Sequence, residues 1–515
     1  MKTSLLLVLF LVLAQLLSAQ NTKAPDSIIP AKGNTDKQLE KIIETKTARH
    51  SDSLGNEPKK SALIDTTIQN KYGDLLNDDT AYNLRHPIWK PSLQVLGAVV
   101  LTWSIDRLIL NADYAHIGIA SWKYNMKYGW EWDNDRFGVN FVGHPYSGTL
   151  SYNAARSNGY NFYQSIPFAV AGSLMWEYFG ENTRPSCNDI INTPVSGVFL
   201  GEILYRLSSN ILDDRTKGTN RVLREIAAGI IDPMRGFNRL MQGKCSRVTN
   251  VEVYQKEPLN ISLYSGLHRK NTGTSISSGT GTNSMMVNAQ FDYGNPFEIR
   301  KRKPFDFFKL RVDLDFGVGR KFLDDITGYG ILFGKNRQIG NLAILVGGFQ
   351  YYDYMDNMTF ELGTIGLGGG LFTKLPINSS IDLYTNLHLA LVPFAGNSTR
   401  FGPDTSQLRD YNYGAGLEGK FESIINLGKF ATASLIYYYY MVHTYVGAPG
   451  NNIISILKPR VTVKLFKQLS LGFEHFIYFN DRYLDDFSAI HSVRTEQKIF
   501  LQLYLEDKQR KGHYN

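Results

Sequence analysis

Cysteine is nearly missing from this chain: among 515 residues there are two, Cys187 and Cys245. Two isolated thiols exclude a disulfide scaffold and a cysteine zinc site. Whether they pair with each other in an oxidising compartment is left open. Long apolar runs are missing beyond the first twenty residues. Charge at Asp106-Arg107, Glu177, Glu202 and Arg206 interrupts each run before the ~20 residues a helix needs to cross a bilayer. There is no basic block either, because the net charge of +8 is spread along the chain. That distribution excludes nucleic acid as a partner. No His-Glu-x-x-His occurs, so no metal and no cofactor is assigned from spacing.

What is present begins with an address. Lys2, an apolar run over residues 5–17 and the small pair Ser18-Ala19 read as a secretory signal, giving a boundary at 1–19. Residues 20–85 are rich in Lys, Asp, Thr, Asn and Ser and bury too little to offset ordering entropy, which predicts a disordered periplasmic linker. A marginal helix is possible at 37–47. Residues 86–245 are helical in period, with helices expected at 93–110, 154–161, 166–181, 195–212 and 221–231. Asn192-Thr193-Pro194 is the expected start of the fourth, and Asp189 and Asn192 read as caps.

From about residue 246 to 515 the period changes to two. Lys309, Arg311, Asp313 and Asp315 alternate with Phe308, Leu310, Val312 and Leu314, and Lys458, Arg460 and Lys464 share the polar face of another segment. About twelve such segments, near the ~9–11 residues of a tilted membrane strand, are separated by turn signals such as Asn341, 426–429 and Asn480-Asp481. The 30 Tyr and 29 Phe fall mostly after residue 250, and the clusters at 349–352, 437–440 and 476–479 are expected at strand ends as interfacial girdles. The fold class is therefore α+β: a C-terminal transmembrane antiparallel β-barrel preceded by a helical domain, with the charged rows facing the lumen. Gly366 to Gly370 lacks the Lys-Ser/Thr of a phosphate loop and reads as a strand bulge. Asp353, Asp356 and Asp485-Asp486 read as solvated loop charge.

The densest local signal is His144-Pro145-Tyr146-Ser147-Gly148, Ser151 to Tyr160, Trp176-Glu177 to Glu181, Asn188-Asp189, Gly201-Glu202 to Arg206 and Asp232-Pro233. It resembles an uncharacterised bacterial outer-membrane family defined by a domain of unknown function (family 3943). The resemblance covers the middle third of the chain and implies an envelope protein with a barrel behind this domain, without implying an activity.

Glu177 and Glu181 lie one helical turn apart, as do Glu202 and Arg206. One reading gathers His144, Glu177, Glu181 and Glu202 into a metal-binding or acid–base site. The other, preferred on sequence, is a structural network in which Arg156, Glu202, Arg206 and Asp189 pair and cap, orienting the helices against the lumen. The matching functions are a non-catalytic outer-membrane barrel with a helical plug or periplasmic domain, serving passage or envelope maintenance, and an outer-membrane enzyme acting on lipid or lipopolysaccharide. Ser147, near His144, is the one nucleophile to test. The expected partners are outer-membrane lipids, the barrel-assembly machinery and other envelope proteins.

Overall fold

The computed structural model describes residues 85–250, 252–271, 281–317, 322–357, 359–398, 411–485 and 488–507. The signal, most of the linker, the marginal helix and Asp486 lie outside them. Among the described residues seven α-helices come first: α1 Trp89–Leu108, α2 Ile119–Tyr128, α3 His144–Arg156, α4 Phe162–Phe179, α5 Cys187–Ile211, α6 Gly218–Ile231 and α7 Pro233–Met241. Twelve strands follow: β1 Leu259–Asn271, β2 Gly281–Tyr293, β3 Phe308–Asp315, β4 Leu323–Ile339, β5 Leu342–Asp356, β6 Glu361–Asn378, β7 Ile381–Ser398, β8 Tyr411–Leu427, β9 Ala431–Val446, β10 Gly450–Phe466, β11 Leu469–Leu484 and β12 Ile490–Leu505. Each pairs antiparallel with its sequence neighbours, and β12 returns to β1 from Ile261↔Leu505 onward, closing the sheet into a barrel without edges.

Local chemistry explains the helix starts and corrects two of them. Asn161 and Gln164 form a reciprocal capping box at the start of α4. Helix α5 starts at Cys187 rather than after Pro194, and its cap is Ser186, whose hydroxyl accepts from Asp189 N at 3.2 Å. Asn192 is no cap, because its amide donates to the Asn140 carbonyl. His144 sits in the first turn of α3 rather than in a loop, with Pro145 beside it where a missing N–H costs nothing. Immediately before it, Val139–Gly143 forms a single π-helical turn.

Most strands run 13–18 residues, longer than a membrane crossing requires, and β3 has eight. The glycine-rich run lies in β6, with a register shift between Ile365 and Leu367 around Gly366. The expected turn at Asn480-Asp481 is strand, and the turn follows Leu484. Asp353 and Asp356 are not loop charge: both are buried in β5. The aromatic clusters do not ring the strand ends. Phe349, Tyr351, Tyr438, Tyr440, Phe476 and Tyr478 are buried mid-strand, while Tyr437 and Phe479 alternate to the exposed face, because consecutive strand residues point to opposite sides.

The two faces of the wall differ sharply. Leu263, Leu267, Leu389, Leu417, Val461, Phe473 and Ile499 are exposed on the outside. The inside carries ion pairs that reach across the lumen. Lys309 on β3 meets Glu422 on β8 at 2.7 Å, between strands five places apart in the ring. Arg311 meets Glu474 on β11 at 3.7 Å, Lys498 on β12 meets Asp313 at 3.5 Å, and Lys420 on β8 meets Asp353 on β5 at 2.6 Å. Toward the rim with the two-residue turns, Phe307 from the β2–β3 connection packs with Phe349 and Phe372.

The helices do not fill this lumen. On β6, Thr364 turns inward to Asp353 and Glu418, whereas its neighbours Gly363 and Ile365 turn outward, onto Phe141 and the helical core. On β5, Tyr351 faces inward to His388, while Tyr352 donates outward to the Phe141 carbonyl and stacks on Phe199 of α5. The helical unit is thus clamped on the outer wall over β3–β8, not held as a plug. The sequence reading missed this because an outward apolar row looks the same whether lipid or protein covers it.

Candidate functional site

Two polar clusters form in the helical unit. In the first, Glu202 of α5 is fully buried and takes both faces of a double arginine clamp. Arg156 Nε and Nη2 donate to its two oxygens at 2.7 and 2.9 Å, Arg206 Nε donates at 2.8 Å, and the Tyr152 hydroxyl at 2.7 Å. Burial alone would raise this carboxyl, but the two guanidinium groups override it and hold its pKa at about 2. Every carboxylate lone-pair direction is answered, and the cluster ties α3 to α5 and, through Arg206 to the Pro304 carbonyl at 2.8 Å, to the segment before β3. Glu202 therefore leaves the proposed His144 site, because its two arginines hold it elsewhere.

The second cluster is of opposite character. His144 Nε2 lies 3.7 Å from Asp189 Oδ2 and 4.0 Å from Asp135 Oδ2. Glu177 and Glu181, at the end of α4, face the same imidazole. Four elements build the cluster. The extended stretch before the π turn supplies Asp133 and Asp135; a parallel bridge between Glu131 and Ser186 holds it beside the start of α5. Helix α3 supplies His144, α4 and the turn just after it Glu177 and Glu181, and α5 Asp189. The barrel closes the cluster: Asn140 Nδ2 donates to Asp133 at 2.9 Å and to Tyr413 Oη at 2.8 Å, and it also reaches Tyr411. Asp133 further accepts from Asn188 at 2.7 Å and Tyr413 at 3.2 Å.

Among the described residues, none of these carboxylates is ion-paired to a lysine or arginine. Burial, reinforced by Glu181, pushes Glu177 up to about 8 although His144 and the Ser186 N–H oppose it. Burial and Asp133 likewise raise Asp189. Burial would lower His144, but Asp189, Asp135 and the two glutamates hold it well above the ordinary imidazole range. A buried cluster of carboxyl groups pushed toward their protonated forms around one imidazole suits proton exchange, or a cation that displaces those protons. It opens to solvent on the side of Asp135, whose side chain is 55% exposed.

The structure brings His144, Glu177 and Glu181 together, and it places Asp189, assigned on sequence to the structural network, against His144. Asp133, Asp135, Tyr411 and Tyr413 were not singled out. The acidic Trp132-Asp133-Asn134-Asp135 run was a usable signal for the first two; nothing in the sequence marks two tyrosines some 270 residues away. Ser147 does not join the cluster through any hydrogen bond found among the described residues. Of the lumen rows, Lys309, Arg311, Asp313, Asp315 and Arg460 take part in ion pairs, and Lys458 lies over Tyr438 and Phe476. Lys464 is exposed at the end of β10. Cys187 and Cys245 are free thiols.

Residues 129–234, which contain both clusters, match the family model described as Domain of unknown function (DUF3943). The matched region runs from the extended stretch before the π turn to the start of α7, and the barrel lies beyond it. No curated protein matches the chain. Solved structures similar to it include the outer membrane channel DcaP of Acinetobacter baumannii, at 6% identity over 48% of this chain and 96% of that one, TM-score 0.22. Another is the COG4313 outer membrane channel from Pseudomonas putida F1, at 5% identity over 49% of this chain and 97% of that one, TM-score 0.28. The barrel here is established by its own strand pairing, not by these likenesses.

Proposed function

We propose that the chain is an outer-membrane β-barrel whose lumen is shut in the described conformation, and that its working part is the acidic–imidazole cluster of the DUF3943 region. The single observation that carries this is the Lys309–Glu422 pair across the lumen. With Arg311–Glu474 and Lys420–Asp353 it leaves charged groups neutralised by one another rather than lining water. Membrane location is supported by the closed sheet and its exposed apolar exterior, since a spanning structure must satisfy every backbone group internally. Among the described residues no helix is long and apolar enough to cross a membrane, so the strands would do the crossing. Passage of solutes belongs to this reading only through opening of the cross-lumen pairs. The test is reconstitution of the full chain in planar bilayers: a quiet membrane is expected from the unmodified protein, and steady ohmic conductance would overturn the reading.

A second reading, action on a lipid, is favoured by what surrounds the cluster. Tyr124, Met126, Tyr128, Trp130 and Phe179 are exposed around the neighbouring α2 and the end of α4, and aromatic residues of this kind sit at headgroup level. Release of a headgroup or acyl chain from outer-membrane lipid by the unmodified chain but not by His144→Ala would support it. Equal inactivity of both would remove it.

A further inference from the structure

We propose that His144, Glu177 and Asp189 bind a divalent transition-metal ion, zinc being the expected best fit. The inference rests on reading this cluster as the working site. Three observations carry it together. One imidazole nitrogen and one oxygen from each carboxylate all lie within 4.8 Å of one another, close enough for a single ion to reach all three. They come from three helices, so the convergence is a product of the fold and not of a sequence run. Asp189, 3% exposed, turns Oδ2 toward His144 at 3.7 Å, and on its other side it meets the Asp133 carboxyl rather than a cation. Two buried carboxyl groups facing one another are costly, and the cost is relieved by a shared proton or by a cation.

The chemistry of the donors selects the ion. A nitrogen ligand argues against magnesium and calcium, which take oxygen shells, and for zinc or a neighbouring first-row ion. Three protein ligands leave a fourth position open, the arrangement of catalytic rather than structural zinc. Asp133 and Asn188 are held by the hydrogen bonds already described and stand behind Asp189 as orienting groups, and Asp135 flanks the open side. In the Glu202 cluster two arginines satisfy the carboxylate. Among the described residues no lysine or arginine stands beside Asp189 in the same way.

The experiment uses the untagged full chain, folded in detergent and stripped with chelator, then titrated with zinc chloride alone. One equivalent of zinc per chain is expected by calorimetry and by elemental analysis after gel filtration. Glu177→Gln, Asp189→Asn and His144→Ala should each weaken binding by at least about tenfold, the scale of loss seen even for groups behind the ligands. His491→Ala, which removes an exposed imidazole paired with Asp481 far along the chain, should leave the equivalent in place. Absence of stoichiometric zinc, or its retention in all three site variants, would overturn the proposal. Should those variants fail to fold, X-ray absorption of the zinc-loaded unmodified chain decides: one imidazole with oxygen neighbours supports the site, and an all-oxygen or multi-imidazole shell overturns it. Conductance without loss of zinc would sink the shut lumen and spare the ion site; a quiet membrane without zinc would do the reverse.

Discussion

Glu202 and Glu177 are both buried glutamates of one small helical unit, yet they sit at opposite ends of the carboxylate range. The difference lies in their partners: two guanidinium groups and a phenol for Glu202, a second carboxylate and a shared imidazole for Glu177. For Glu202 the consequence is a definite pH dependence. Its folded pKa, about 2, lies below the ordinary glutamate value of 4.5, so the stability it contributes is present above about 4.5 and is lost as pH falls toward 2. The groups around it are Tyr152 and Arg156 of α3 and Arg206 of α5; the Arg156 and Arg235 guanidinium groups flank the ring of Tyr205 from α3 and α7. Of these only Glu202 titrates in that window. Glu202→Gln leaves two buried arginines without their counter-charge and is expected to cost about 3–5 kcal/mol. Thermal unfolding of the helical unit, followed at pH 7 and pH 3, checks both statements: the variant should unfold earlier at pH 7 and should show a smaller decline on acidification than the parent, Asp133 and Asp213 supplying the rest.

At the scale of elements, the helical unit depends on two close approaches. Helices α3 and α5 cross where Gly148 meets Gly197, and a Cβ on Gly197 would stand 2.6 Å from the Gly148 carbonyl carbon. Gly197→Ala is therefore expected to destabilise the unit by about 1–3 kcal/mol through overpacking, read as a lower unfolding temperature in the detergent-folded chain. The second approach docks the unit on the barrel. Phe141, fully buried, lies on Gly363 and Gly396 of the outer wall, where a Cβ at either glycine would come within 2.4 Å of its ring. Phe141→Ala should cost about 3–5 kcal/mol at this contact. Limited proteolysis should then release helical fragments while the barrel remains intact; unchanged protection of the helices would show that the clamp lies elsewhere.

At the scale of the whole molecule, a closed sheet of twelve strands with an apolar outside should fractionate with outer membranes and shift in mobility when heated before electrophoresis. A soluble chain without the shift would return the exposed leucines to another role. Lys309→Gln combined with Glu422→Gln removes the longest reach across the lumen. The double variant is expected to raise conductance above the quiet parent, measured in the same bilayers. A variant as silent as the parent would assign closure to the aromatic packing around Phe349 and Phe372 instead.

The sequence by itself determined the period of each segment, and with it the change from helix to strand and the charged face of the barrel. These follow from side chains a few residues apart, since Lys309, Arg311 and Asp313 must share a face once the segment is a strand. It also determined the Glu202–Arg206 pair, one turn apart on one helix. What spacing alone does not contain is which side of the wall the helices take. Leu310, Tyr352 and Ile365 face outward in a row that lipid or protein would cover equally well, and only the docking of Phe141 and Phe199 decides between them. The same holds for the acidic cluster. Asp133, His144, Glu177 and Asp189 come from four local structures and are closed over by Tyr411 and Tyr413 of a distant strand. Their meeting depends on long-range packing, while local pattern fixes only the face each residue presents.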